Sequence, residues 1–397
     1  MTSRTDRLYL NDPWLLSFDA RVVAHASFDG RPSLVLDRTA FYPEAGGQMA
    51  DHGVLGGLAV IDVQVDDAGV LHHVAEGTLP AVRAELRGEV DRARRREFMA
   101  LHTAQHMLSR ALLDECGAAT VSSRLGEKSC TIDVDVERLD EGRVARAESL
   151  VNAVIDDDVR VRAFFPSAEE LARLPLRREP KVDAEIRVIE IGDFDVTPCG
   201  GTHCTGTAQV GLVRVTGVER YKGKMRVSFS AGPRARGELF REQEVLRSLS
   251  SRFTCGPFDV AAAIDKLDRD LADARASLSK ARGRLLEGMT AELLEEASSL
   301  GARPFVRVIE DGDAAALRTV AGRLTETGAC VVLLAAPSAE GTQVLIARGP
   351  DSDFDCGAFL KRAAEASAGR GGGKKERAEG RLPPGVDWPA LCARLLG

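Results

Sequence analysis

Short apolar runs separated by Gly, Asp and Pro fill the first ninety residues, as at Ser33 to Leu36, Val54 to Val65 and Gly69 to Val74. Runs of this length between turn residues predict a small β-barrel or sandwich, assigned to residues 1–91. Near Arg92 the pattern changes. Arg96 to Leu113 contains no Pro or Gly, and Phe98, Leu101, His102, Gln105, His106, Ser109 and Leu112 fall near one face at helical spacing. Strand-like runs return at Ser129 to Val136 and Glu185 to Ile191. A loop rich in Gly, Cys and Thr follows at Thr197 to Gly206, then further strands at Gln209 to Val218 and Lys224 to Ser230. These elements form a second, α+β domain over 92–252.

A third pattern occupies 253–300. Ile264, Leu267, Leu271, Ala274, Leu278, Ala281 and Leu285 alternate steps of three and four, the a/d seam of a coiled coil, and Gly288 ends the strict register. Two readings stay open: a helical hairpin packed on its own chain, or a homodimer through the helical segment. Over 301–397, strands (Val306 to Ile309, Cys330 to Ala335, Gln343 to Ala347) alternate with helical stretches (Ala314 to Thr325, Ala358 to Ser367). That alternation predicts a small C-terminal α/β domain. The fold class expected for the whole chain is α+β and multidomain.

Charge narrows the choice of partners. With 53 Lys and Arg against 60 Asp and Glu, the net charge is −7, which argues against sequence-blind coating of nucleic acid. A nucleic-acid partner would need a local basic face. No apolar run approaches the roughly 18–20 residues that span a bilayer, so no membrane role is expected. Met1 to Asp6 has no apolar run and does not read as a leader. The 8 cysteines are too sparse for a disulfide framework, and a reducing cytoplasm is the expected setting.

Four residues carry the chemistry. His102 and His106 lie four apart on a predicted helix and share a face, so both imidazoles can reach one ion. Cys199 and His203 lie four apart in Cys199-Gly200-Gly201-Thr202-His203-Cys204, where glycines allow a tight fold. Three nitrogens and a sulfur suit Zn²⁺. Cys204 could replace either loop ligand. A protease reading fails, because that motif needs Glu directly after the first His and Thr103 stands there.

The segments HTAQH (His102 to His106) and CGGTH (Cys199 to His203), with TAFYPEAGGQMADHG (Thr39 to Gly53) before them and KGKMR (Lys222 to Arg226) after, resemble the editing domain of alanyl-tRNA synthetase and its freestanding AlaX relatives. Ala45 departs mildly from the Gly or Ser common at its position. The resemblance makes 92–252 a zinc-binding editing core and implies that His102, His106, Cys199 and His203 hold zinc. It further implies that Gln48 lines the substrate pocket and that Lys222, Lys224 and Arg226 form a basic tRNA-facing segment. The expected reaction is hydrolysis of the aminoacyl ester on tRNA(Ala) mischarged with serine or glycine, with Thr39 and Gln48 as candidates to select serine's hydroxyl. Whether zinc activates water or orients substrate stays open. No segment resembles the aminoacylation core, so charging of tRNA is not expected.

The helical segment and the region after it resemble the C-terminal domain of the same synthetase, with Gly369 to Gly380 as the Gly-rich signature. Lys374, Lys375 and Arg377 lie there in a locally basic stretch, expected to meet tRNA phosphates. Two rivals remain: a non-catalytic tRNA-binding protein with structural zinc, and a phosphoesterase. The second lacks an Asp before His72-His73.

Overall fold

The computed structural model describes residues 5–180, 185–299, 301, 303–326, 328 and 330–397. Met1 to Arg4, part of the segment read for a leader, and Leu300, the end of the helical segment, lie outside them. The fold is mixed α+β, in two compact units, Met1–Arg252 and Phe253–Gly397. No helix among the described residues is long and apolar enough to cross a membrane.

The first unit opens with β1 (Asp6–Arg7), β2 (Ser17–Phe28), β3 (Arg31–Leu36), β4 (Arg38–Thr39), β5 (Gly53–Leu55), β6 (Leu58–Val65), β7 (Leu71–Glu76) and β8 (Glu85–Val90). β2, β3, β7, β6, β5 and β8 pair antiparallel in that order, and β8 returns to β2, so six strands close into a ring. Alternation puts Phe18, Val22, Leu34, Leu36, Leu55 and Val63 into a shared core. The run Val54 to Val65 is two strands rather than one, because Gly56 and Gly57, both at positive φ, turn the chain between β5 and β6.

Next come α1 (Arg92–Cys116), β9 (Thr120–Leu125), β10 (Cys130–Val134), α2 (Glu141–Asp156), β11 (Val161–Phe164), α3 (Ala168–Arg173), β12 (Val188–Ile191), β13 (Asp195–Pro198), β14 (Val213–Tyr221), β15 (Lys224–Ala231) and α4 (Gly232–Phe253). Asp91 caps α1 by accepting from the backbone N–H of Ala93 and Arg94, and Gly117 ends it at φ 64°. Between these caps α1 is buried on nearly every side. It packs with α2 over the sheet β14-β15-β10-β9, joining Met99, Leu108 and Leu112 to Val151, Ile132 and Phe229 in one core. β11, β12 and β13 form a separate three-stranded sheet. The strand predicted from Gln209 begins at Val213, since Thr207–Gln209 is a 3-10 turn.

The second unit holds α5 (Val260–Ser299), β16 (Phe305–Val308), α6 (Ala314–Leu324), β17 (Val331–Ser338), β18 (Gly341–Arg348), α7 (Cys356–Ser367), β19 (Arg370–Gly373), β20 (Arg377–Leu382) and α8 (Trp388–Leu396). Its sheet runs β16-β17-β18-β20-β19 and is covered on both faces. Leu333 and Ile346 face α7 and α8, while their neighbours Leu334 and Leu345 face α6 and the end of α5. α5 is a single helix of 40 residues, and its register continues through Gly283 and Gly288. Leu267, Leu271, Leu278 and Leu285 of the a/d seam are exposed along it. The Gly-rich signature forms the hairpin β19–β20, with Lys374 and Lys375 in its turn.

Candidate metal centre

A buried ion pair ties the Gly-rich motif at Thr39 to Gly53 to α1. Arg95, fully buried, donates to both carboxylate oxygens of Asp51 and to the carbonyls of Pro13 and Ala40, while Asp51 accepts from the backbone N–H of Tyr42. Gly47, at φ 87°, lies so close to β9 that a Cβ would meet the Ser123 carbonyl at 2.4 Å. The chain following it places Gln48 against one face of α1.

That face carries His102 and His106. The loop after β13 brings Cys199 and His203 to them, and Gly201 makes the approach possible, since a Cβ there would lie 2.2 Å from the His102 ring. The ligand atoms of His102, His106, Cys199 and His203 all lie within 4.8 Å of one another, so the four could hold a metal ion. The Cys199 Sγ is 3.4 Å from Nε2 of His102 and 3.4 Å from Nε2 of His203. All four sequence-predicted ligands therefore converge. Cys204 is not part of the set. It is buried beside them with its thiol pushed up to about 11 by desolvation, as for a packed neutral Cys.

Two of the three imidazoles, His102 and His203, have a hydrogen-bond acceptor behind them. The Nδ1–H of His102 donates to Oε1 of Gln48 over 2.7 Å, that of His203 faces Oγ1 of Thr103 at 3.3 Å, and Nδ1 of His106 lies 3.6 Å from Oδ2 of Asp195. For His102 and His203 the acceptor on Nδ1 fixes the tautomer that leaves Nε2 free for a metal. Thr103 has capacity for this role because its own proton goes to the Met99 carbonyl. Gln48 is held in turn by Thr202, whose Oγ1 accepts from its Nε2 at 2.8 Å and whose N–H donates to its Oε1 at 3.2 Å. Burial opposes charge on Cys199, yet the imidazoles of His102, His106 and His203 outweigh it and hold the thiol well below its usual range. Burial likewise opposes charge on Asp195, but His106 and Arg177 bring its carboxyl down to about 2.

A cavity of about 810 Å³ opens beside the cluster, lined among others by His102, Gln105, Cys199, Tyr42 and Arg187. Gln48 itself is fully buried behind His102 and does not line this cavity. Thr39 does not line it either. Its hydroxyl lies 2.8 Å from Nε2 of buried His73 and accepts the Phe41 backbone N–H at 3.1 Å. Because Nδ1 of His73 donates to the Leu34 carbonyl, Nε2 must accept, and the Thr39 proton is spent there. Thr103, Asp195 and Arg187 were not singled out from sequence. Thr103, inside HTAQH, was readable; the others become visible only when the strands pair.

The basic positions differ in availability. Arg226 is bidentate to Asp133 and stacks 3.4 Å above the Tyr221 ring, and Lys224 pairs with Asp135 at 2.7 Å, whereas Lys222 faces Tyr221. These residues border a groove of about 880 Å³ with Arg124 and Lys128. In the second unit Arg377 pairs with Glu379.

A buried N3S cluster beside a cavity, on an α+β scaffold, defines a candidate metal-site protein. Residues 186–228 match the family described as threonyl and alanyl tRNA synthetase second additional domain. The chain is 28% identical over 95% of its length to alanyl-tRNA editing protein AlaX-L of Pyrococcus horikoshii, covering 94% of that protein. It is 28% identical to alanine–tRNA ligase of Archaeoglobus fulgidus and 31% identical to that of Thermococcus kodakarensis, over 96% and 95% of this chain. It spans only 43% and 42% of those two ligases. The resemblance read from the motifs, to a freestanding alanyl-tRNA editing protein and to part of the synthetase, therefore holds along nearly the whole chain.

Proposed function

We propose that this chain is a zinc-dependent aminoacyl-tRNA deacylase, acting in the cytoplasm on tRNA(Ala) mischarged with serine or glycine. The observation that carries the reading is the convergence of His102, His106, Cys199 and His203 beside a cavity of about 810 Å³. The donor set fits zinc: bond lengths of about 2.3 Å to sulfur and 2.0–2.1 Å to nitrogen in a tetrahedron put S and N roughly 3.5 Å apart. The separations of 3.4 Å between Cys199 Sγ and two imidazole nitrogens agree with this.

Bound there, zinc would supply Lewis-acid polarisation of the ester or of a water. Gln48 and Thr103 keep the Nε2 atoms of His102 and His203 directed at the centre, and Asp195 flanks His106. Gln105 lines the cavity one turn along α1. Its Nε2 donates to Ser109, which leaves its carbonyl as an acceptor suited to serine's hydroxyl. Alanine offers that acceptor nothing, which is the basis of the expected discrimination. Lys222, Lys374 and Lys375 are the cations best placed to meet tRNA phosphates, and two copies associating through the α5 seam would cover its exposed leucines.

The rival is a tRNA-binding protein with structural zinc, and four protein ligands closing a tetrahedron favour it. One experiment separates the two: hydrolysis of seryl-, glycyl- and alanyl-tRNA(Ala) side by side, with Cys199→Ala and His106→Ala measured for zinc content and rate. The expected result is fast loss of serine, slow loss of alanine, and loss of both metal and activity in the variants. No hydrolysis with zinc intact would leave the binding protein.

A further inference from the structure

Arg187 is buried to 5% exposure, and three of its five N–H groups are spent on the chain: Nε on the Leu10 carbonyl at 3.1 Å, and Nη1 on the carbonyls of Cys199 at 3.0 Å and Gly201 at 2.8 Å. The guanidinium is thus fastened to the metal-binding loop. Its remaining nitrogen, Nη2, is buried with no hydrogen-bond partner among the described residues. Burial pulls the Arg187 pKa below its usual value, against the opposing effect of Cys199. Arg7 repeats the pattern, with a buried Nε that has no hydrogen-bond partner among the described residues. Both arginines line the cavity beside the cluster, and Tyr9, which lines it too, feels the charge of each.

Buried cationic donors left without acceptors are costly, and such costs persist where a ligand supplies the missing acceptor. The two N–H groups of Arg187 Nη2 and the one of Arg7 Nε make three donors on two full charges. A neutral ester carbonyl has two lone pairs and no full charge to match them. A phosphate group has several charged oxygens and a geometry suited to arginine. We propose that Arg7 and Arg187 form a phosphate subsite in this cavity, which receives the 5′-phosphate of the terminal nucleoside of the tRNA while the ester on its ribose faces the metal cluster. The assignment rests on the deacylase reading for the identity of the nucleic acid, but the donor geometry does not depend on it. The subsite would fix the end of the strand at one nucleotide's distance from the reacting ester, and positioning of that kind is a main source of rate.

The test is calorimetric binding of adenosine and of adenosine 5′-monophosphate to the full-length, zinc-loaded chain. The phosphate is expected to improve affinity about tenfold or more, the scale of one or two charge-assisted hydrogen bonds. In Arg7→Gln the advantage should shrink several-fold while adenosine binds as before. Arg187→Gln should abolish it, with zinc content measured alongside because Arg187 also holds the loop. Arg7→Gln, which leaves that loop untouched, keeps the test valid if Arg187→Gln loses metal. Equal affinity for the two ligands, no measurable binding of the monophosphate, or an advantage unchanged in Arg7→Gln would each overturn the proposal. Seryl-tRNA(Ala) hydrolysis is measured separately. Its failure with the phosphate advantage intact sinks the deacylase reading alone, and the reverse result sinks only the subsite.

Discussion

Nδ1 of His102 donates to Oε1 of Gln48 over 2.7 Å, across 54 positions of sequence, so a residue from the Thr39 to Gly53 segment fixes the tautomer of a candidate ligand on α1. Gln48 thus lies behind a residue of the candidate metal cluster rather than in the cavity wall. Gln48→Ala should weaken zinc binding roughly 10–100-fold, the usual effect of losing such a partner. Gln48→Glu keeps the acceptor toward His102 while losing the donor to Thr202, and should restore a good part of the affinity. Competition with a chromophoric chelator reads both. Unchanged affinity in Gln48→Ala would return Gln48 to the pocket.

The four converging residues were legible as candidate ligands because each pair lies within one local element: His102 and His106 are one helical turn apart, and Cys199 and His203 flank two glycines. Of the six strands in the ring, β3, β5, β6 and β7 were legible in part, from their short apolar runs. β2 and β8 were missed, because they carry Arg, Asp or Glu on an outward face and read as polar. Their pairing with each other is what closes the ring. Gln48 and Thr39 looked alike from sequence, as polar residues in one motif. Only the pairing of β3 with β7 brings His73 beneath Thr39 and commits its hydroxyl. Asp195 and Arg187 sit on and just before the strands of one local hairpin, but the groups they meet, His106 and the Leu10 carbonyl, lie far along the chain, and no local spacing marks them.

His73 gives a pH prediction. Desolvation lowers its pKa from the usual 6.5 to about 4 in the folded chain, so the folded state holds it neutral while the unfolded state binds a proton. Stability then rises with pH between about 4 and 6.5, and its contribution is lost as pH falls through that window. A difference of about 2.5 units corresponds to roughly 3 kcal/mol at most. His73→Gln should be less stable than the parent at pH 7 but lose less stability between pH 6.5 and 4. Urea midpoints at several pH values check this. Parallel pH profiles for the two proteins would remove His73 from the acid response.

The α5 seam predicts association. Leu267, Leu271, Leu278 and Leu285 are 53%, 45%, 54% and 75% exposed on one helix at heptad spacing. A single apolar stripe of that length is the surface by which coiled coils pair. Sedimentation of the full chain should show a dimer, and Leu271→Glu with Leu278→Glu should give a monomer that keeps its zinc and its helix content. A parent chain that sediments as a monomer at micromolar concentration rejects the seam as a dimer interface.

The second unit also predicts how tRNA is held. Lys374 and Lys375 stand in the turn of β19–β20, and no ion pair involves them among the described residues, whereas Arg377 pairs with Glu379. A cation already matched to a carboxylate releases fewer counterions on binding phosphate than a free one does. Each free lysine that meets a phosphate adds about 0.7–0.9 to the salt slope of log affinity. Lys374→Ala with Lys375→Ala should therefore flatten the slope for tRNA by between one and two, while Arg377→Ala changes it by much less than one. Removal of everything after Arg252 takes away the second unit and leaves the four ligands with the core of the first, since both lie within Met1–Arg252. That truncated chain should keep its zinc and hydrolyse a short acceptor-stem substrate with little loss, yet bind full-length tRNA more weakly, because two linked contacts hold a ligand more tightly than one. Filter binding over a salt series, beside zinc analysis, tests both statements. If the truncated chain binds full-length tRNA as tightly as the parent with the same slope, the hairpin does not touch the tRNA, and the second unit would then be left with association through α5.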